Sequence, residues 1–499
     1  MQDAARAYYQ EKLKRFSDKE RREFKRVPVP SLEAIKRVHL IGVCGTAMGS
    51  LAGLLAEAGF SISGSDEACY PPMSDMIKKL GITFKEGYKV EHLKGADLIV
   101  VGNTCRPDNV EAQYARENGL AVLSLPEALH LFFVEGRRSL VVAGTHGKTT
   151  TTGLLAHVFT EAKLEPTYLV GGIMKNYSHS FSVGSGPHFI VEGDEYDTAY
   201  FDKSPKFLHY APTSAIVTSV EFDHIDIYDD MEDYRQAFRF LLEEIPDEGS
   251  VFVWGDSEET RQLGENAKAD VIFYGLNSRN DIHALDVTLT PEGQEFALIV
   301  KGENLGRFFV TLHGSHNLLN TLAVCGMALE EGVSLSKLRQ GLQTFEGMMR
   351  RQEIVGGAGG VTVIDDFAHH PTAVRETLKA IRDKFPDRRI VAFFEPRSNT
   401  SRRKIFEEEY GKSFDLADEV YLSIPPFRHN DKKEDFLDAD KVTATISSRG
   451  PRASFYPNAD TLLRAALPHL QEGDVVLIMS NGSFDGIHQK LLSDLSSQS

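Results

Sequence analysis

The chain has 499 residues, with 55 Lys+Arg against 72 Asp+Glu and a formal charge of −17. That length allows about three domains with substantial cores, and 41% hydrophobic with 25% charged residues is ordinary for a globular protein. The negative balance argues against sequence-independent nucleic-acid binding, which depends on neutralising phosphates; it leaves anionic ligands open, because local charge can oppose net charge.

Residues 1–37 are dense in both charge signs and lack an apolar signal core, so they read as an exposed helix and not a signal peptide. No apolar run approaches the ~18 residues that span a bilayer, and a cytoplasmic location is expected. Cys44, Cys69, Cys105 and Cys325 show no C-x-x-C spacing. This excludes a disulfide scaffold or structural zinc module and fits a reducing compartment.

A buried strand is predicted over 38–43, followed by a Gly-rich turn and a helix over 48–57. Short strands at 61–64, 98–102 and 121–124 alternate with helical stretches, which predicts a parallel sheet. A second β–α series opens at 139–144, with strands at 188–192 and 214–219 and an amphipathic helix over about 231–245. Residues 281–309 alternate and are interrupted by Gly, so antiparallel sheet is expected there. Helix resumes over 316–330, ending at Gly332. A third series carries strands at 361–364, 390–394, 419–423 and 475–479. The reading is an α/β protein of three domains, 1–136, 137–348 and 349–499. The first and last are Rossmann-like, and the middle one resembles a P-loop ATPase.

Gly144-Thr145-His146-Gly147-Lys148-Thr149-Thr150 follows a strand and opens a helix. Consecutive amides at a helix N-terminus cradle phosphate oxygens, lysine adds a point charge, and the next hydroxyl can ligate Mg²⁺. Val142 stands where the usual P-loop has its first glycine, so the loop is a variant. Glu192-Gly193-Asp194-Glu195-Tyr196-Asp197 and Glu221-Phe222-Asp223-His224-Ile225-Asp226 each follow a strand of the same domain. Such acids are either solvated loops or, beside a P-loop, Mg²⁺ ligands. Gly42, Gly45 and Gly49 resemble a dinucleotide turn with altered spacing, with Asp66 about twenty residues on. The alternative there is a turn needed only for strand–helix packing.

His316-Asn317-Leu318-Leu319-Asn320 could be a helix cap with a polar face, and Arg350-Arg351 could be simply solvated. His369-His370, in Asp365-Asp366-Phe367-Ala368-His369-His370-Pro371, has no further ligands at zinc spacing. A structural or nucleotide-contact role is expected there.

Taken in order, G-T-H-G-K-T-T-T, E-x-D-E-Y-D, D-H-x-D, H-N-x-x-N, R-R-Q-E and D-D-F-A-H-H-P resemble the Mur ligase family over residues 37–490. The resemblance implies an ATP-dependent, amide-bond-forming ligase of peptidoglycan metabolism acting through an acyl phosphate. Four segments look like the branch that joins UDP-N-acetylmuramate to the tripeptide L-alanyl-γ-D-glutamyl-meso-diaminopimelate during recycling. They are 45–52, 221–227, 395–400 and 480–490. Addition of L-alanine to the same sugar nucleotide is the alternative.

By that resemblance the catalytic residues are Lys148, Glu192, His224 and Arg351. ATP would contact Gly144, Thr145, His146, Gly147, Lys148, Thr149, Thr150, Asn317, Asn320, Arg351 and Asp366. Mg²⁺ would be held by Thr149, Glu192 and His224. Gly45, Thr46, Met48, Asp66 and His146 would line the UDP-sugar site. Arg397, Ser398, Asn399, Ser480 and Asn481 would meet the peptide. A lysine carbamylated in several family members is replaced at about Phe238, and a frequent asparagine is Ser219. No nucleic acid or membrane partner is implied, and a monomer or weak homodimer is expected. Since every implied ligand is anionic, cations are expected at the domain junctions and the acidic excess on the outer surface. A nicotinamide-dependent oxidoreductase would leave the P-loop unexplained, and a sugar-nucleotide sensor would have lost its phosphate or metal residues.

Overall fold

A computed structural model of the chain describes residues 3–16, 19–22, 24–69, 73–424 and 433–498. Three large sheets follow one another along the chain, with a separate two-stranded antiparallel pair, Asp197–Ala199 and Asp202–Pro205. The first has five parallel strands in the spatial order Thr83–Glu86, Ser61–Asp66, Arg37–Ile41, Leu98–Val101, Val122–Ser124. This is the doubly wound order, whose ligand crevice lies beyond the strand ends where the order reverses. The glycine turn after Ile41 sits at that crevice, with Gly42 at φ +86°.

The second sheet has ten strands. The strand feeding the Gly-Lys-Thr loop, Arg138–Ala143, is central, flanked in parallel by Ser214–Val217 and His188–Gly193. Its burial is near complete because helices cover both faces. The antiparallel part foreseen over 281–309 is present as Ile282–Thr290, Gly293–Val300 and Glu303–Val310. The third sheet orders Glu353–Ala358, Val361–Asp366, Val475–Ser480, Ile390–Glu395, Glu419–Ser423 and Arg452–Tyr456. Only its Glu353–Ala358 edge is antiparallel.

Two sequence expectations need correction. The N-terminal segment is not simply exposed: helix Asp3–Lys14 buries Ala5, Tyr9 and Lys12. Lys12 pairs with Asp233 at 2.5 Å, and Tyr8 Oη donates to the same carboxylate at 2.5 Å. Farther on, Phe24 stacks on Phe201 with centroids 4.0 Å apart, and Arg26 reaches Glu127 at 2.6 Å. The charged face hid this apolar stripe. In addition, Cys44 and Cys69 form a disulfide. It joins the glycine turn to the segment after Asp66, two turns that the parallel pairing of Arg37–Ile41 with Ser61–Asp66 brings side by side.

Candidate active site

The strand Arg138–Ala143 ends at Gly144, with φ +131°, and the loop re-enters helix Lys148–Glu161 through Gly147 at φ +80°. Both glycines are needed for close approach as well as backbone freedom. A Cβ on Gly144 would lie 2.1 Å from Thr218 Oγ1, and one on Gly147 would lie 2.6 Å from Asn320 Oδ1. The turn is therefore wedged between the next strand and helix Ser315–Glu330. His146 N–H donates to Ser219 Oγ at 3.0 Å, so the serine in place of asparagine still holds the loop.

Lys148 Nζ donates to Gly144 O at 2.6 Å and to both oxygens of Glu195, at 3.0 and 2.7 Å. Burial alone would lower the lysine pKa, but Glu195, Asp194 and Glu192 outweigh it and hold the ammonium above its ordinary value. Glu195 is fully buried. Burial opposes its charge, yet Lys148 and His224 keep it below the usual carboxylate range. Tyr234 Oη donates to Glu195 at 3.2 Å, and His224 Nε2 lies 3.3 Å from it. Burial pulls His224 down, but Glu195 and Asp223 prevail and raise it to about 9.

Thr149 Oγ1 donates to Glu192 Oε1 at 3.1 Å, while Glu192 Oε2 accepts from Gly171 N–H at 2.9 Å. A Cβ on Gly171 would come within 2.3 Å of that oxygen. Burial raises the Glu192 pKa against the pull of Lys148. Across the junction, Arg351 Nη2 reaches Thr149 Oγ1 at 3.4 Å and its guanidinium lies over Phe367. Arg350 donates to Ser480 O at 2.8 Å and Gly482 O at 2.6 Å, tying the linker to the third sheet.

Asn320 Nδ2 donates to Asn317 Oδ1 at 3.3 Å, and Asn317 Nδ2 to His313 O at 2.8 Å. Asp366 accepts from the Gln352 and Ala368 amides, each at 2.8 Å. Thr150 is buried at the start of the helix. In the first sheet, Asp66 Oδ2 accepts from Cys44 N–H at 2.9 Å, which shapes the glycine turn containing Gly45 and Thr46. Met48 is buried, with its Cγ 3.2 Å from where a Cβ on Gly102 would stand.

The third-domain candidates divide. Ser480 Oγ donates to Glu395 at 2.7 Å, and Arg397 reaches the same side chain at 3.4 Å. Asn481 Oδ1 is buried without a hydrogen-bond partner. Asn399 donates to Asp226 of the middle domain at 3.0 Å, whereas Ser398 Oγ is engaged locally with Ser401.

The acidic excess is not confined to the outer surface. Glu195, Asp223, Asp366 and Glu395 are all buried around this junction. They are tolerated because cations lie among them: Lys148, Lys206 (2.5 Å from Asp194), Arg351 and Arg397. Glu195, Lys206, Tyr234 and Glu395 also meet the candidate residues or motifs but were not assigned to the site from sequence. Glu195 lay inside E-x-D-E-Y-D and Glu395 opened the segment 395–400, whereas Lys206 and Tyr234 carried no sequence signal. Phe238 is fully buried and offers no amine to carbamylate.

Residues 37–135 match the Mur ligase family catalytic domain, 142–328 the Mur ligase middle domain, and 350–482 the Mur ligase glutamate ligase domain. The UDP-N-acetylmuramate–L-alanyl-γ-D-glutamyl-meso-2,6-diaminoheptandioate ligase of Escherichia coli is 36% identical over 468 residues, covering 92% of this chain and 98% of that protein. The chain belongs to the Mur ligase family. It is an ATP-dependent, amide-bond-forming α/β enzyme with the three Mur ligase domains. The UDP-N-acetylmuramate–L-alanine ligase of Caldanaerobacter subterraneus is 31% identical, covering 93% of this chain and 98% of that protein. Among solved Mur ligases, a murein peptide ligase from Psychrobacter arcticus is 32% identical with TM-score 0.70, covering 92% of this chain and 99% of that one. The UDP-N-acetylmuramate–alanine ligase of Thermotoga maritima shares the fold with TM-score 0.76 at 24% identity, covering 93% of this chain and 100% of that one. No helix among the described residues is long and apolar enough to cross a membrane.

Proposed function

We propose that this Mur ligase joins L-alanyl-γ-D-glutamyl-meso-diaminopimelate to UDP-N-acetylmuramate at the expense of ATP, in the cytoplasm, as a step of peptidoglycan recycling. The observation that carries the phosphoryl-transfer part is the meeting of Lys148, Thr149, Glu192 and Arg351 across the junction of the second and third sheets. The choice of acceptor is supported by the 36% identity to ligases named for the tripeptide, against 31–34% for those named for L-alanine. In this reading residues 1–136 take the sugar nucleotide, 137–348 take ATP, and 349–499 take the peptide and close over the nucleotide.

A carboxylate is a poor electrophile until one oxygen becomes a good leaving group. Transfer of the γ-phosphoryl group from ATP to the muramate carboxylate makes that leaving group. The alanyl amine then attacks the acyl carbon, and the tetrahedral intermediate expels phosphate. Phosphoryl transfer needs positioning and charge neutralisation more than covalent help. The loop amides from Gly144 to Thr150 and Lys148 hold the β- and γ-phosphates. Arg351 adds charge from the other side of the junction, so transfer requires both domains together. Asn317 and Asn320, next to Gly147, read the base, and Asp366 the ribose. On the peptide side, Arg397, Ser398, Asn399, Ser480 and Asn481 present a cation and hydrogen-bonding groups for carboxylates and amides.

Glu192 and the Thr149 hydroxyl fit Mg²⁺: a buried carboxylate and a hydroxyl 3.1 Å apart are the hard oxygen donors that ion takes. His224 would join them after giving up the proton it shares with Glu195. When bound, the ion supplies positive charge to the transferring phosphoryl group.

Offering L-alanine and the tripeptide separately with ATP and UDP-N-acetylmuramate, and following product mass, tests the acceptor. Faster turnover of the tripeptide is expected. Faster turnover of free L-alanine would transfer the assignment to the L-alanine-adding reaction.

A further inference from the structure

Helix Asp3–Lys14 precedes the first matched domain, which begins at residue 37. Ala5, Tyr8, Tyr9 and Lys12 recur at three- and four-residue steps, so they share one face of it. That face docks on the middle domain, where Ala5 and Tyr9 enter the apolar cluster that holds Tyr228, Tyr234 and Phe240. Lys12 buries its charge there. Its side chain is 10% exposed and pairs with Asp233, itself 7% exposed, at 2.5 Å. The other Asp233 oxygen accepts from Tyr8 Oη at 2.5 Å.

From Lys12 a short chain of contacts leads to the phosphate loop. Lys12 Nζ stands 5.2 Å from the centre of the Tyr228 ring, within the range at which a ring face attracts an ammonium. Tyr228 Oη donates to the Glu195 carbonyl at 2.5 Å. The Tyr228 and Tyr234 rings meet edge-on at 4.9 Å. Tyr234 Oη donates to Glu195 Oε1 at 3.2 Å and lies 2.9 Å from Thr145 Oγ1 of the loop. Glu195 is thus held by its backbone through Tyr228 and by its carboxylate through Tyr234. It holds Lys148 in turn through both oxygens, at 3.0 and 2.7 Å. Removing Lys12 would leave the buried Asp233 carboxylate without its cation, which such sites tolerate poorly. Rearrangement there moves Tyr228, loosens Glu195 and misdirects Lys148.

We propose that Lys12 is a positioning residue of the ATP site, and that helix Asp3–Lys14 supports the phosphate loop through Tyr228, Tyr234 and Glu195. Lys12 touches no reacting atom; it sets the tyrosine pair that aims Glu195 at Lys148. The inference rests on the phosphate-loop role proposed for Lys148 and does not depend on which acceptor the enzyme uses.

Steady-state kinetics of full-chain variants, run well below each thermal midpoint, test this. Lys12→Met keeps an apolar stem and removes the charge. Its kcat/KM for ATP is expected to fall about 10-fold, with UDP-N-acetylmuramate affinity, read by calorimetry, unchanged. Tyr228→Phe keeps the ring and removes the hydroxyl, and a similar fall is expected. Lys12→Met should add less than about twofold on top of Tyr228→Phe, because residues acting along one path are not additive. Two controls separate positioning from stability. Arg15→Met breaks an exposed pair with Asp229, and Leu462→Ala opens a core of the third domain. Both are expected to keep kcat/KM for ATP, although the second lowers the thermal midpoint. An unchanged kcat/KM in Lys12→Met or Tyr228→Phe, fully multiplicative losses in the double variant, or an equal loss in Leu462→Ala would overturn the proposal. Lys148→Ala is run alongside: its inactivity would leave the loop's role standing in any of those cases, whereas full activity would remove that role and this inference together.

Discussion

Lys148 is the residue on which most of the site's electrostatics turn. Its ammonium sits among Glu195, Asp194 and Glu192, whose charges outweigh a burial that would otherwise neutralise it. A phosphate therefore competes for a lysine already held charged and aimed by Glu195. Lys148→Ala is expected to lower turnover at least about 10²–10³-fold while leaving UDP-N-acetylmuramate affinity, read by calorimetry, nearly unchanged. Equal turnover would remove the phosphate loop from the reaction. A structural counterpart lies at Glu331, whose side chain is 4% exposed and bonds Arg138 at 2.6 Å and His188 at 3.2 Å. Burial raises its pKa, but the His188 and Arg138 bonds outweigh that and bring it from 4.5 to about 2. A lowered carboxylate pKa adds stability that is complete above about 4.5 and fades as pH falls toward about 2. Urea unfolding should show Glu331→Gln destabilised by about 1–3 kcal/mol at pH 7, with the gap closing across that window. A gap constant with pH would contradict the assignment.

At the scale of elements, the phosphate loop is set by two glycines and by the helix against which it leans. Gly147→Ala forces a side chain into a left-handed turn, costing about 1–2 kcal/mol, and directs it at Asn320 Oδ1. Turnover should fall more than stability, because the collision displaces Lys148 and Asn320 together. A variant that loses stability alone would show that the turn tolerates the change. The N-terminal helix acts differently. Tyr9 is 3% exposed, edge-on to Phe240 at 6.1 Å, so Tyr9→Ala should cost about 3 kcal/mol in thermal unfolding. A negligible change would mean that the helix is a dispensable appendage. Its docking was illegible in the sequence because its apolar residues are spaced among many charges. Strand Thr167–Met174 was missed for a related reason, since Gly171-Gly172 interrupts its apolar run. By contrast, the strand of Leu140-Val141-Val142-Ala143 could be read directly, since four apolar residues followed by glycine leave few alternatives.

For the whole molecule, the proposed division of labour rests on three large sheets whose loops meet at shared junctions. Four of the Mur ligase motifs were legible because they follow strands of a parallel sheet, which gathers its loops at one end; R-R-Q-E instead precedes strand Glu353–Ala358, and H-N-x-x-N opens the helix after the antiparallel strand Glu303–Val310. What could not be read was pairing across domains. Arg351 to Thr149, Asn399 to Asp226, and Thr372 to Glu221 depend on how separate sheets dock, which no local period encodes. The Cys44–Cys69 bridge was hidden likewise, because its partners meet only through the register of adjacent strands. Since the contacts proposed as catalytic are split between domains, the central claim is that ATP is consumed only when the sugar nucleotide and the amine acceptor are both in place. The direct measurement is phosphate release from ATP with UDP-N-acetylmuramate and the tripeptide offered together, each alone, and neither. Release confined to the complete mixture is the expected result; equal release without UDP-N-acetylmuramate would contradict it.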